Sequence, residues 1–153
     1  MAKRGQIVGR LSIAILLVVV LLTSSIITGC AYLINTPELR VNEGDELYKQ
    51  GRLDEAIDKY TEAIRYNPRW EEPYCKRGTT YCDLGQIDRG IEDLNEAIRL
   101  DTGYAEAYYN RGLAYTEQGK KAEAIDDFEK VISIADNAPW IKMAKQQIEE
   151  LSR

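Results

Sequence analysis

Ala105–Gly119 reads A-E-A-Y-Y-N-R-G-L-A-Y-T-E-Q-G. Its Gly112 and Gly119 stand 34 residues after Gly78 and Gly85, which stand 34 residues after Gly44 and Gly51. A glycine pair returning at one fixed step marks tandem copies of a small unit. Aligned without gaps, the copies run Pro37–Trp70, Glu71–Tyr104 and Ala105–Ala138. In the third copy Tyr108, Gly112 and Tyr115 recur at i, i+4 and i+7, and Ala124, Phe128, Val131 and Ile132 at i, i+4, i+7 and i+8. Both sets follow the helical period and neither alternates as a strand would. Gly119 separates them and suits the left-handed residue that follows a helix end. Each copy therefore reads as helix A, tight turn, helix B.

Gly44, Gly78 and Gly112 fall inside helix A, where glycine costs about 1 kcal/mol relative to alanine. Accepting that cost three times points to a place where two helices approach too closely for a side chain. Ala56 and Ala124 are the expected small partners on helix B, and Gly90 in the second copy is expected to loosen that helix. Pro68 ends the first helix B, whereas Thr102 and Asp136 stand at the equivalent places with weaker stop signals.

The third copy carries aromatics four residues before and three residues after its glycine, then Ala124 and Phe128. The second matches at Tyr74, Gly78, Tyr81 and Ala97, with Leu94 for the second-helix aromatic. The first matches at Gly44, Ala56, Tyr60, Ala63 and Pro68, and departs at Arg40 and Leu47. This pattern resembles the tetratricopeptide repeat (TPR) family. The resemblance implies an all-α solenoid of three helix-turn-helix repeats whose A helices line a concave groove. The groove positions are then Glu38, Val41, Asp45, Tyr48 and Lys49 in copy one. They are Glu72, Cys75, Thr79, Cys82 and Asp83 in copy two, and Glu106, Tyr109, Leu113, Thr116 and Glu117 in copy three. Such a surface fits a peptide or protein segment. Some family members hold a chaperone's C-terminal carboxylate in a clamp of Lys and Asn. Here Val41 and Asp45 replace the clamp Lys and Asn, Glu106 occupies another cationic place, and Asn110 alone does not rebuild it.

Residues 139–153 carry Trp140, Ala144, Ile148 and Leu151 on one stripe, with Lys142, Lys145, Gln146, Glu149 and Glu150 opposite. This is the terminal cap with a polar outer face that a solenoid requires, and Pro139 suits its first turn.

Residues 11–27 contain no charge and follow Lys3, Arg4 and Arg10. They read as an export or anchoring segment, with the basic flank kept in the cytoplasm and the repeats sent across. Two forms stay open. Ile27-Thr28-Gly29-Cys30 resembles a bacterial lipobox, which implies lipidation at Cys30 after removal of residues 1–29. The alternative is an uncleaved transmembrane helix. Seventeen uncharged residues span about 25 Å of a ~30 Å hydrocarbon core, and extension to Ile34 spans it with tilt. Either way residues 30–36 are a short linker and the array lies near a membrane, on its extracytoplasmic side.

Only three of the 20 basic residues, and none of the 25 acids, precede residue 31. The array is therefore acidic, which disfavours nucleic acid. The chain has no histidine, which removes the Ser-His-Asp and Cys-His arrangements and most zinc sites. Cys75 and Cys82 lie seven residues apart on one helix, about 10.5 Å of rise, too far for a disulfide. The sequence thus points to a non-catalytic protein-interaction module of the bacterial cell envelope, monomeric or weakly oligomeric, with no cofactor and no metal. A pilus or secretion assembly factor and a thiol-based redox protein are the alternatives.

Overall fold

The computed structural model describes residues 36–153, so the apolar segment, the lipobox and Cys30 lie outside the described residues. Seven helices follow in order: α1 (Pro37–Lys49), α2 (Leu53–Tyr66), α3 (Glu71–Asp83), α4 (Ile87–Leu100), α5 (Ala105–Glu117), α6 (Lys121–Ile134) and α7 (Ala138–Ser152). No strand occurs among the described residues. No helix among them is long and apolar enough to cross a membrane. Each helix packs on its neighbour in sequence, and α3 also touches α5. That is a solenoid of three helical pairs with α7 laid over the last.

The turns are copies of one another. Gly51, Gly85 and Gly119 have φ of 74°, 74° and 72°. The amide after each glycine donates back to the helix it has left: Arg52 to Leu47 O at 2.9 Å, Gln86 to Tyr81 O at 2.8 Å, Lys120 to Tyr115 O at 2.9 Å. This is the Schellman closure, which needs a left-handed residue and satisfies carbonyls that the helix end would orphan. The B helices also stop in register, at Tyr66, Leu100 and Ile134, although only the first is followed by proline. Asp101 supplies the missing signal in the second copy, and Asn67 adds the same one beside Pro68 in the first. The Asn67 and Asp101 side-chain oxygens accept from the amides of Arg69 at 3.2 Å and Gly103 at 2.8 Å, an Asx turn that competes with helix continuation. In the third copy Asn137 instead caps the next helix, accepting from Trp140 N at 3.2 Å.

The helix A glycines are close-contact points, with one correction to the expected partner. A Cβ on Gly44 would lie 2.5 Å from the Tyr60 ring, and one on Gly112 would lie 2.7 Å from the Phe128 ring. The nearest atoms thus belong to the helix B aromatic rather than to Ala56 or Ala124. In the second copy Leu94 is shorter than an aromatic, and the backbones close in: a Cβ on Gly78 would meet Gly90 O at 2.9 Å. Gly90 has a packing role in α4. A Cβ there would lie 2.3 Å from Cys82 Sγ, so the glycine makes room for that thiol. Three apolar clusters fill the array. They centre on Tyr60 with Val41 and Ala63, on Leu94 with Cys75 and Ala97, and on Phe128 with Val131 and Ala144. α7 opens at Ala138, one residue before the expected cap, and packs Trp140, Ile148 and Leu151 on the third cluster.

Polar stitching joins the copies. Arg77 bonds both Asp93 oxygens, at 2.7 and 2.8 Å, and reaches back to Thr61 Oγ1 of the first copy at 2.9 Å. Thirty-four residues later, Arg111 repeats this with Asp127 at 2.8 and 2.7 Å and with Asn95 Oδ1 at 2.6 Å. In the first copy the equivalent pair is inverted: Glu43 on α1, Lys59 on α2, 3.2 Å apart.

Candidate functional site

The A helices place their short polar residues around a cleft of about 220 Å³. Its lining comes from α1 (Asp45, Tyr48), α2 (Tyr60), α3 (Lys76, Thr79) and α5 (Glu106, Asn110). It therefore crosses all three copies. Of the groove residues expected from sequence, Asp45, Tyr48, Thr79 and Glu106 meet there. Glu38 and Asp83 are exposed on the same helices, and Glu72, Leu113 and Thr116 are half-buried.

Cys75 and Tyr109 are corrections. Cys75 is fully buried beneath the third copy, against Ala107, and Tyr109 is 8% exposed. The Tyr109 ring packs 5.5 Å from Phe128 and 5.3 Å from Trp140 of α7. Val41, at the equivalent place in copy one, is buried too. This position packs one copy onto the next, so neither side chain faces a ligand. The expected set lacks Tyr60, which comes from α2, and it also lacks Lys76 and Asn110. The last two stand four residues after Glu72 and Glu106, on the same helix face, which was the available signal.

The cleft is wired internally. Asp45 accepts from Tyr60 Oη at 2.8 Å and from Lys76 Nζ at 3.1 Å, and Glu72 lies 3.6 Å from the same ammonium. Tyr48 Oη donates to Asp83 at 2.5 Å, tying α1 to α3. That bond to a carboxylate pushes the Tyr48 hydroxyl up to about 12. Asn110 donates to Thr79 Oγ1 at 3.0 Å, tying α5 to α3. Desolvation raises the Tyr60 hydroxyl well above the ordinary phenol range.

Chemistry is scarce in this arrangement. Burial pushes the Cys75 thiol up to about 12 and the Cys82 thiol to about 11. Thiols in that range hold little of the reactive thiolate at neutral pH. Both are free. Among the described residues no group of His, Cys, Asp and Glu is placed to hold a metal ion.

The TPR repeat description matches residues 44–82 and 78–119, and the tetratricopeptide repeat description matches 105–137. The chain belongs to the tetratricopeptide repeat family, whose domains mediate protein–peptide binding. No curated protein matches it. Several solved structures are similar. The first TPR domain of Spaghetti (RPAP3), bound to the HSP90 peptide SRMEEVD, is 28% identical with a TM-score of 0.70, covering 78% of this chain and 95% of that one. The MamA crystal structure is 30% identical with a TM-score of 0.69, covering 76% and 67%. The TPR domain of Arabidopsis OM64 is 25% identical with a TM-score of 0.69, covering 76% and 97%.

Proposed function

We propose that this chain is a membrane-tethered, non-catalytic docking module of the bacterial cell envelope that receives a segment of a partner protein in the cleft between α1, α3 and α5. The observation that carries the reading is the cleft's composition: polar residues from three copies, fixed by bonds between helices. Such a surface is organised before the ligand arrives, which lowers the ordering cost of binding. Its volume of about 220 Å³ is below the ~300–1,000 Å³ of small-molecule sites and suits one side chain of a longer ligand. Peptides bound to the TPR domains of Spaghetti (RPAP3) support the same use of the fold. The raised thiols disfavour the redox alternative. The uncharged run 11–27 and the Cys30 context support the tether. A pilus or secretion assembly role is one form of this function and rests on analogy of fold.

A photo-crosslinking residue at Tyr48 or Thr116 of the full-length chain in its native cells should give one shared adduct. The same residue at Arg99, on the opposite helix layer, should give none. Equal labelling from all three places would sink the docking reading. Intact mass of the mature protein tests the tether: a chain beginning at a lipid-modified Cys30 supports the lipoprotein form, and an intact, unmodified Met1 supports the uncleaved helix.

A further inference from the structure

The cleft carries a charge balance that defines its ligand further. Glu38, Glu72 and Glu106 recur 34 residues apart, so every copy places a glutamate in the first turn of its A helix. Lys76 is the one cation lining the cleft, and it is held by Asp45 at 3.1 Å and Glu72 at 3.6 Å. Among the described residues, no Lys or Arg pairs with Glu106 or Asp83; each instead meets a tyrosine hydroxyl. On the outer helix surfaces some acids are answered locally, as in Arg52–Glu55, Arg99–Glu96 and Arg153–Glu149, and others, such as Asp54, Asp58, Glu92 and Glu123, stand exposed to solvent. At the cleft Asp45, Glu72 and Glu106 share the single cation Lys76, and a recess with low-dielectric walls concentrates the field of the excess negative charge.

The geometry points to a cationic partner: a peptide segment bearing Lys or Arg, with one such side chain entering the cleft beside Glu106 and Asn110. This rests on the docking reading above and adds the ligand's sign. The peptide seen on the Spaghetti (RPAP3) relative, SRMEEVD, has three acids against one Arg. A ligand of that kind would have to take Lys76 away from Asp45 and lie beside the Glu106 carboxylate. A guanidinium or ammonium meets the acids as they stand and leaves the Asp45–Lys76 pair intact. The cleft's Thr79 and Asn110 then supply neutral partners, with no buried charge left alone.

The test is selection from a random heptapeptide display library on the full-length chain in detergent micelles, followed by anisotropy titration of one selected peptide. The expected pool is enriched in Lys and Arg. For the selected peptide, Glu106→Gln should weaken binding about two- to fivefold, the range for a partly exposed ion pair. Glu106→Lys should weaken it further, and affinity should fall as salt rises. The thermal melt of Glu106→Gln should stay close to the parent, because the amide oxygen still accepts from Tyr104 Oη. A pool rich in Asp and Glu, or without charge bias, that still competes for the cleft would overturn the cationic assignment and leave docking standing. So would a selected basic peptide indifferent to both Glu106 variants. A library yielding no binder overturns the docking reading itself.

Discussion

Arg111→Ala should be among the most damaging single changes in the array. Its guanidinium makes two bonds to Asp127 and one to Asn95, joining α5, α6 and α4. The Asp127 side chain is 6% exposed and that of Arg111 18%. Removing the arginine strands a buried carboxylate, a change that costs about 3–5 kcal/mol. The partial exposure of Arg111 puts the expected loss near 3 kcal/mol. For a domain of this size that corresponds to roughly 10–15 °C in the melting temperature. Lys59→Ala removes the cation of the equivalent, inverted pair in copy one. There Glu43 and Lys59 are 37% and 29% exposed, and Glu43 keeps Arg40 at 2.6 Å. That loss should stay under about 1 kcal/mol. Replacing both members, Arg111→Met with Asp127→Leu, should recover most of the Arg111→Ala deficit, because no charge is then left alone. Thermal and urea melts of the three variants decide. Equal losses for Arg111→Ala and Lys59→Ala, or no recovery in the double variant, would refute the stitching argument.

Gly112→Ala should destabilise by about 1–2 kcal/mol in a urea melt, since overpacking against Phe128 outweighs the gain in helix propensity. Trp140→Ala should cost about 2–3 kcal/mol and speed amide exchange in α7, because it removes the ring that covers Tyr109. Raised thiols favour the protonated form in the folded state, so their contribution is complete below the unfolded thiol pKa of about 8.5. It is lost as pH climbs toward about 11 for Cys82 and about 12 for Cys75. The melting temperature should therefore fall above about pH 8.5, less steeply in a Cys75→Ala, Cys82→Ala variant. At pH 8, peptide mass mapping after brief alkylation should find both positions unmodified in the native protein.

The glycine step carried the repeat length, the helix pairing and the turn geometry, because only a close contact or a positive φ forces glycine at fixed places. The helix B ends were less legible. Asn67 and Asp101 act through side-chain bonds to amides two residues on, and neither is as loud a signal as Pro68. The floor of the groove was misread at Cys75 and Tyr109 because a helix face toward the ligand borders the face toward the next copy. One residue of rotation separates Cys75 from Lys76, and helical period alone does not resolve it. The arginine pairs were missed for a related reason. Their partners lie 16 residues away in either direction, beyond any local pattern.

The inverted pair in copy one gives the array a direction. Arg77 and Arg111 each lean on the copy before them, whereas Glu43 and Lys59 hold only each other and near neighbours on α1 and α2. Copy one thus carries a glutamate where the later copies carry the arginine that reaches back. A copy inserted ahead of it would find no arginine reaching back, whereas one inserted between copies two and three could be stitched from both sides. Lengthening of such an array by duplication is therefore favoured in its interior and resisted at its N-terminal end.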